Sequence, residues 1–78
     1  MKTKLKVEVR QGERGTRVLA RLFPEASEAG RFFENTCSAH QQRANREGIS
    51  FLVRMTVVQE RPAKELSLVE ERGIDPRR

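Results

Sequence analysis

The first third of the chain alternates between apolar and polar residues. The run from Lys2 to Arg10 has its apolar members, Leu5, Val7 and Val9, on one face and its charged members on the other. A period of two with β-branched residues is typical of a half-buried strand. A second alternating run, Thr16 to Phe23, follows a polar segment with two glycines that suit a tight turn. The two runs predict a β-hairpin.

The second run has one face that is apolar throughout and one face that carries two arginines. We therefore expect its inward residues to be Val18, Ala20 and Leu22. The outward residues are then Arg17, Leu19, Arg21 and Phe23.

The period changes to that of a helix after Pro24 and continues to about Glu47. Apolar and small residues recur at intervals of three or four and form one stripe, made of Ala26, Ala29, Phe33, Cys37, His40 and Ala44. Pro24 suits a first helical turn, and Gly48 suits the left-handed position just past a helix end. The pattern predicts one amphipathic helix.

Alternation returns from Ile49 to Gln59, which is the most apolar run and predicts a central strand. Pro62 then marks a connection, because proline cannot donate to a sheet ladder. A weaker alternation over Lys64 to Val69 predicts an edge strand with Leu66 and Leu68 as its inward pair. Residues 70–78 are charged and contain a glycine and a proline, so we expect a mobile tail there.

These elements predict an α+β fold with a single domain over residues 1–69. We expect a four-stranded antiparallel sheet in the chain order ββαββ and the spatial order 2-1-3-4. One helix packs on one face of this sheet, and the other face is open to solvent.

Composition adds constraints on stability and location. The chain has 78 residues, of which 36% are hydrophobic, and one cysteine, so its core is thin and has no internal disulfide. Chains below about 80 residues often gain stability from a staple or a partner, which makes a homodimer possible. A single cysteine fits a reducing compartment, and no apolar run resembles a signal peptide or a membrane span. We expect a cytoplasmic protein with no membrane partner.

The charge balance suggests an acidic partner. The net charge is +5, and the predicted open face gathers seven cations against Glu8 and Glu65. The cations are Lys2, Lys4, Lys6, Arg10, Arg17, Arg21 and Arg54. One interpretation is a basic binding face; the other is that exposed strands simply need polar outward residues, with lysine and arginine protecting edges.

Both protein and nucleic acid are candidate partners for this face. Only Phe23 offers a ring there, whereas RNA-recognition sheets stack bases on several aromatic residues. Leu19, Leu52 and Val58 are predicted on the same side and form either an apolar interface patch or isolated surface residues. An acidic protein or nucleoprotein surface is therefore the leading expectation, with direct binding of duplex nucleic acid as the alternative.

Candidate catalytic chemistry is sparse. Cys37 and His40 lie three residues apart on the helix stripe, but a structural zinc site needs four such ligands and a thiol nucleophile needs an orienting third group. We predict no catalytic, cofactor-binding or metal-binding residue.

A hairpin followed by the segment LFPEASEAGRFFE and a further strand resembles many short phage and mobile-element proteins, over about residues 3–58. Some of these, including certain anti-CRISPR inhibitors, act by binding nucleoprotein machinery. The resemblance is one of architecture and implies a binding role without assigning any residue.

Overall fold

The computed structural model describes residues 2–77 and has the predicted fold class. Met1 and Arg78, the first residue of the predicted domain and the last of the predicted tail, lie outside the described residues. The elements in chain order are β1 (Thr3–Gln11), β2 (Thr16–Phe23), α1 (Ala26–Glu47), β3 (Phe51–Glu60) and β4 (Ala63–Ile74). The strands form one antiparallel sheet in the order β2-β1-β3-β4, which confirms the predicted topology.

The helix α1 buries the predicted stripe. Ala29, Phe33, Cys37 and Ala44 are buried, and they recur at the spacing that places them on one side of a helix. Ala26 is exposed at the first helical residue, so the stripe begins one turn later than expected. The helix ends at Gly48, whose φ of 70° lies in the left-handed region and whose N–H donates to the Ala44 carbonyl at 2.8 Å.

The core lies between α1 and the two central strands. Its most deeply buried large side chains are Val7 and Val9 of β1, Phe33 of α1 and Val53 of β3. Complete burial of a side chain of this kind stabilises the fold by about 1.5–3 kcal/mol relative to exposure. The core is therefore one-sided, and no element among residues 2–77 covers the opposite face of the sheet.

The predicted orientation of β2 is wrong. Directly opposite residues in a sheet share a face, and Phe23 pairs with Leu5 while Leu19 pairs with Val9. Val9 pairs with Leu19 and Arg10 pairs with Arg17, so Val18 is an extra residue in β2. This bulge reverses the two faces of residues 19–23 relative to a hairpin without a bulge. As a result Phe23 is buried, and Leu22 is exposed on the other side.

The predicted tail begins too early. β4 continues to Ile74, which pairs with Phe51 and is buried in the core. Beyond the strand, the Asp75 carbonyl accepts a hydrogen bond from Gln41, and the Arg77 N–H donates to Asn45. These contacts hold residues 75–77 against the C-terminal half of α1.

Candidate interaction surface

The sheet face opposite α1 consists of rungs that cross neighbouring strands, and we call this surface the open face. Three rungs span all four strands. From β2 to β4 they are Arg17-Arg10-Leu52-Gly73, Ala20-Glu8-Arg54-Glu71 and Leu22-Lys6-Thr56-Leu68. A fourth, shorter rung is Lys4-Val58-Glu65.

The open face holds most of the cations predicted for it. Lys4, Lys6, Arg10, Arg17 and Arg54 all lie there. Arg21 does not, because it pairs with Val7 on the helix side. Its guanidinium carbon lies 5.4 Å from the ring centre of Phe23 and 4.9 Å from that of Phe32, in the range of a cation–π interaction.

The predicted apolar trio is divided between the two faces. Leu19 packs against the core on the helix side. Leu52 and Val58 lie on the open face, where Val58 is only 7% exposed beneath its neighbours. The apolar side chains that the open face presents to solvent are instead Leu22 and Leu68, at the two ends of one rung.

A buried carboxylate organises the part of the open face nearest the β1–β2 turn. Glu8 lies 3.1 Å from Arg10 and 3.1 Å from Arg17, and its side chain is 5% exposed. Arg10 also donates to the Gly15 carbonyl at 2.7 Å, which ties the cluster to the turn. A carboxylate this buried requires cationic partners, and the two arginines supply them.

The remaining open-face cations are also paired. Arg54 lies 2.9 Å from Glu71, Lys6 lies 2.8 Å from Glu65, and Lys4 lies 3.1 Å from Glu60. The Lys6 ammonium donates to Glu65 and thereby lowers the pKa of that carboxyl below its ordinary value.

The open face is therefore close to charge balance, with five cations beside four carboxylates. The sequence expectation of a strongly basic face is wrong in its count of anions. The two further carboxylates are Glu60 and Glu71, which reach this face because β3 extends to Glu60 and β4 continues through Glu71. Individually such exposed ion pairs contribute about 0–1 kcal/mol to stability.

A groove of about 420 Å³ lies at the end of the sheet where β3 turns into β4. Its lining includes the apolar side chains of Leu22, Val58 and Ala63, together with Lys6 and Glu65. A neighbouring hollow of about 440 Å³ is lined by Lys2, Glu60 and Arg61. An apolar groove with a few charged groups at its margin is the usual form of a binding site.

Positive charge is concentrated around this groove, and we call the region the basic end. It comprises Lys2, Lys4, Lys6, Arg61 and Lys64, with Glu60 and Glu65 as its carboxylates. The excess of cations over anions is larger here than on the rest of the open face.

Two buried polar atoms at the centre of the open face have no hydrogen-bond partner among the described residues. They are Arg54 Nε and Thr56 Oγ1, in adjacent rungs of β3. Arg54 Nε is 2.9 Å from a Glu71 oxygen, but its N–H is not aligned with that oxygen, so the contact is one of charge alone. Unpartnered buried polar groups cost about 1–3 kcal/mol each.

Cys37 and His40 do not form a reactive pair. The Cys37 thiol is 4% exposed, and burial raises its pKa above the ordinary value. His40 Nδ1 lies 2.8 Å from the Thr36 carbonyl and therefore donates its hydrogen there. Within residues 2–77, no group of three or more His, Cys, Asp or Glu side chains is placed to hold a metal ion.

The sequence pattern missed Leu22 and Leu68 as exposed apolar residues and missed Arg72 altogether. The Arg72 guanidinium donates a bidentate pair of hydrogen bonds to the Glu34 carboxylate of α1, each 3.0 Å long. The sequence does contain one signal for a longer β4. Ile74 is a large apolar residue two positions beyond Arg72, and this spacing indicates that the strand continues. No local signal indicates the register shift that exposes Leu22.

Comparison with known proteins identifies no relative. No protein-family model, no curated protein and no solved structure matches this chain. Residues 2–77 also include no helix that is long and apolar enough to cross a membrane. Functional inference therefore rests on the geometry of the open face and its groove.

Proposed function

We propose that this protein is a non-enzymatic binding protein that engages an acidic protein or nucleoprotein surface through the open face of its sheet. The observation that carries the proposal is the groove at the basic end, with its apolar lining and surrounding cations.

The groove favours a partner segment with an apolar residue flanked by carboxylates. The apolar side chain of the partner contacts Leu22 and Val58 and is thereby removed from water. Buried anchors of this kind contribute most of the binding free energy of an interface. The flanking carboxylates approach Lys6 and its neighbours in the basic end. Complementary charge of this kind mainly increases the association rate and the specificity of binding.

Two features favour a protein partner over single-stranded nucleic acid. All four phenylalanines pack on the helix side, so the open face provides no ring for base stacking. Most open-face cations are already paired with carboxylates, so fewer of them are available to release counterions from phosphates.

A photo-crosslinking experiment tests the proposal. A photoreactive phenylalanine analogue replaces Leu22 in the groove, and in a matched control it replaces the exposed Ser38 on α1. In host cells we expect a discrete protein adduct from position 22 that is absent from position 38. The adduct should weaken when Lys6→Glu is added, since that change reverses a charge at the groove. Equal labelling from both positions would contradict the proposal.

Direct binding of duplex nucleic acid is the alternative function, and the basic end supports it. Lys2, Arg61 and Lys64 have no carboxylate within ion-pair distance among the described residues. Fluorescence anisotropy with a short DNA duplex separates the two functions. Duplex binding predicts micromolar or tighter association that falls steeply with salt, and the protein-binding function predicts weak association with little discrimination among duplexes.

The biological setting that best fits these features is cytoplasmic. A single buried thiol suits a reducing compartment. The architectural resemblance to short phage and mobile-element proteins makes inhibition of host nucleoprotein machinery, in the manner of anti-CRISPR proteins, a specific form of the proposed binding role.

A further inference from the structure

The edge strand β4 has an uncovered stretch rich in apolar side chains. Residues 63–71 are all exposed, because α1 reaches β4 only near its end. Leu66, Leu68 and Val69 are 40%, 51% and 50% exposed, and they account for three of the five exposed large hydrophobic residues in the described chain. Unpaired strand edges of this kind are templates for pairing with another strand.

Pairing of two copies of β4 around a two-fold axis is restricted by the faces of the sheet. In such an antiparallel pair, directly opposite residues must point to the same face. The register with β3 places Lys64, Ser67 and Glu70 on the helix side. It places Ala63, Glu65, Leu68 and Glu71 on the open face. Near the middle of the exposed stretch, only an axis through Ser67 or through Leu68 satisfies this condition.

Charge distinguishes these two registers. An axis through Leu68 places Lys64 opposite Arg72 of the second copy, and Glu65 opposite its Glu71. Each of these pairs is repulsive, and the two-fold axis makes each of them occur twice. An axis through Ser67 instead places Lys64 opposite Glu70 of the second copy, again twice. It also places Leu66 opposite Leu68 and Glu65 opposite Val69. Leu66 and Val69 are the extra residues at the two register shifts of β4, so the charge pair between Lys64 and Glu70 is what favours this register.

We propose that the chain forms a two-fold homodimer in which the β4 strands pair antiparallel about Ser67, giving a continuous eight-stranded sheet. The two helices then lie on the same side of that sheet. In this register Glu65 lies opposite Val69 and Glu71 lies opposite Ala63, so neither carboxylate meets a like charge across the seam. This inference goes beyond the proposed function because it concerns a different partner, a second copy of the chain. The two surfaces meet at Ala63, Lys64 and Glu65, which line the groove and also lie on β4.

Charge-reversal variants test both the dimer and its register. Lys64→Glu and Glu70→Lys each place two like-charged pairs at the seam, so we expect each variant to raise the dimer dissociation constant by roughly tenfold or more. An equimolar mixture of the two variants restores both attractive pairs and should form a heterodimer of wild-type affinity. The double variant K64E/E70K should also dimerise. Sedimentation velocity across a concentration series measures each case.

Controls separate an interface effect from unfolding. Glu70→Lys removes a contact with Arg72 at 2.7 Å, so thermal unfolding is measured for every variant. Arg31→Glu, on the exposed side of α1, is the matched charge-reversal control and should leave dimerisation unchanged.

Two results would overturn the inference. One is a wild-type chain that remains monomeric at roughly 1 mM. The other is a mixture of the two variants that dimerises no better than either alone, which would exclude the register about Ser67. Glu70→Lys separates this inference from the proposed function, because Glu70 lies in the seam but not in the groove that contains Leu22 and Lys64. It should weaken dimerisation and leave the partner adduct from position 22 unchanged, so each proposal can fail without the other.

Discussion

The two ends of β4 show how one strand can serve two purposes. At its packed end, residues 72–74, Ile74 is buried against the core and Arg72 reaches Glu34 of α1. Over its free stretch, residues 63–71, every residue is exposed. Both ends pair with β3, so the difference comes from the helix and not from the sheet.

Coverage by α1 separates the residues of β4 that stabilise the fold from those that are available to a partner. The Arg72 guanidinium lies 5.1 Å from the ring centre of Phe33 and holds Glu34 and Glu70 together, so it connects helix and sheet. The free stretch makes no comparable contact with α1. Its apolar side chains contribute little to the fold of one chain and remain available to a second.

The largest expected effect is the loss of the Ile74 side chain at the packed end. We expect Ile74→Ala to lower the free energy of unfolding by about 2–5 kcal/mol, because it removes a buried side chain and leaves a cavity. Leu68→Ala, on the free stretch, should change it by about 0.5 kcal/mol or less. Urea unfolding at low protein concentration measures both. Similar losses from the two variants would show that the free stretch is packed after all.

The reaction rate of the Cys37 thiol should depend on the packed end of β4 and not on its free stretch. The thiol lies beside a hollow lined by Arg72, Gly73 and Ile74, and burial both shields it and raises its pKa. We expect slow reaction with Ellman's reagent in the folded protein and rapid reaction in denaturant. Ile74→Ala should accelerate the native reaction by roughly tenfold or more, since it makes local opening easier.

Leu68→Ala is the matched control for this labelling experiment. It should leave the reaction rate of Cys37 close to that of the wild type. Rapid labelling of the unmodified folded protein would mean that the thiol is accessible, and would reopen the question of reactive chemistry at this position.

The smallest expected effect is the pH dependence of the Arg72–Glu34 pair. The hydrogen bond from Arg72 lowers the pKa of Glu34 below its ordinary value of 4.5. A carboxyl with a lowered pKa stabilises the fold above its unfolded pKa, and this contribution is lost as the pH falls through the lowered value. The difference in unfolding free energy between the wild type and Glu34→Gln should therefore be largest near neutral pH and shrink below pH 4.5.

Thermal unfolding across a pH series checks this prediction. Glu13→Gln is a suitable control, because Glu13 lies exposed in the turn between β1 and β2. A difference for Glu34→Gln that stays constant down to strongly acidic pH would mean that the charge of Glu34 contributes nothing to the packed end.

The open face shows where sequence reasoning was limited. The positions of Lys4, Lys6, Arg10 and Arg54 on one face followed from alternation alone, since each lies on a central strand packed beneath α1. The positions of Arg21 and Leu19 did not, because the register shift in β2 reverses every residue beyond it. The carboxylates that balance the cations come partly from β4, whose pairing is a long-range property.

Local sequence patterns are sufficient to specify the number and type of the elements, the approximate bounds of β1, β2, α1 and β3, and the ββαββ order. Periods of 2 and 3.6 residues and the glycine after the helix are local signals, so they act within a few residues. Tertiary structure decided which face β2 buries, how far β4 extends and which charges meet. Those outcomes depend on strand register and on the path of α1, which bring together residues distant in the chain.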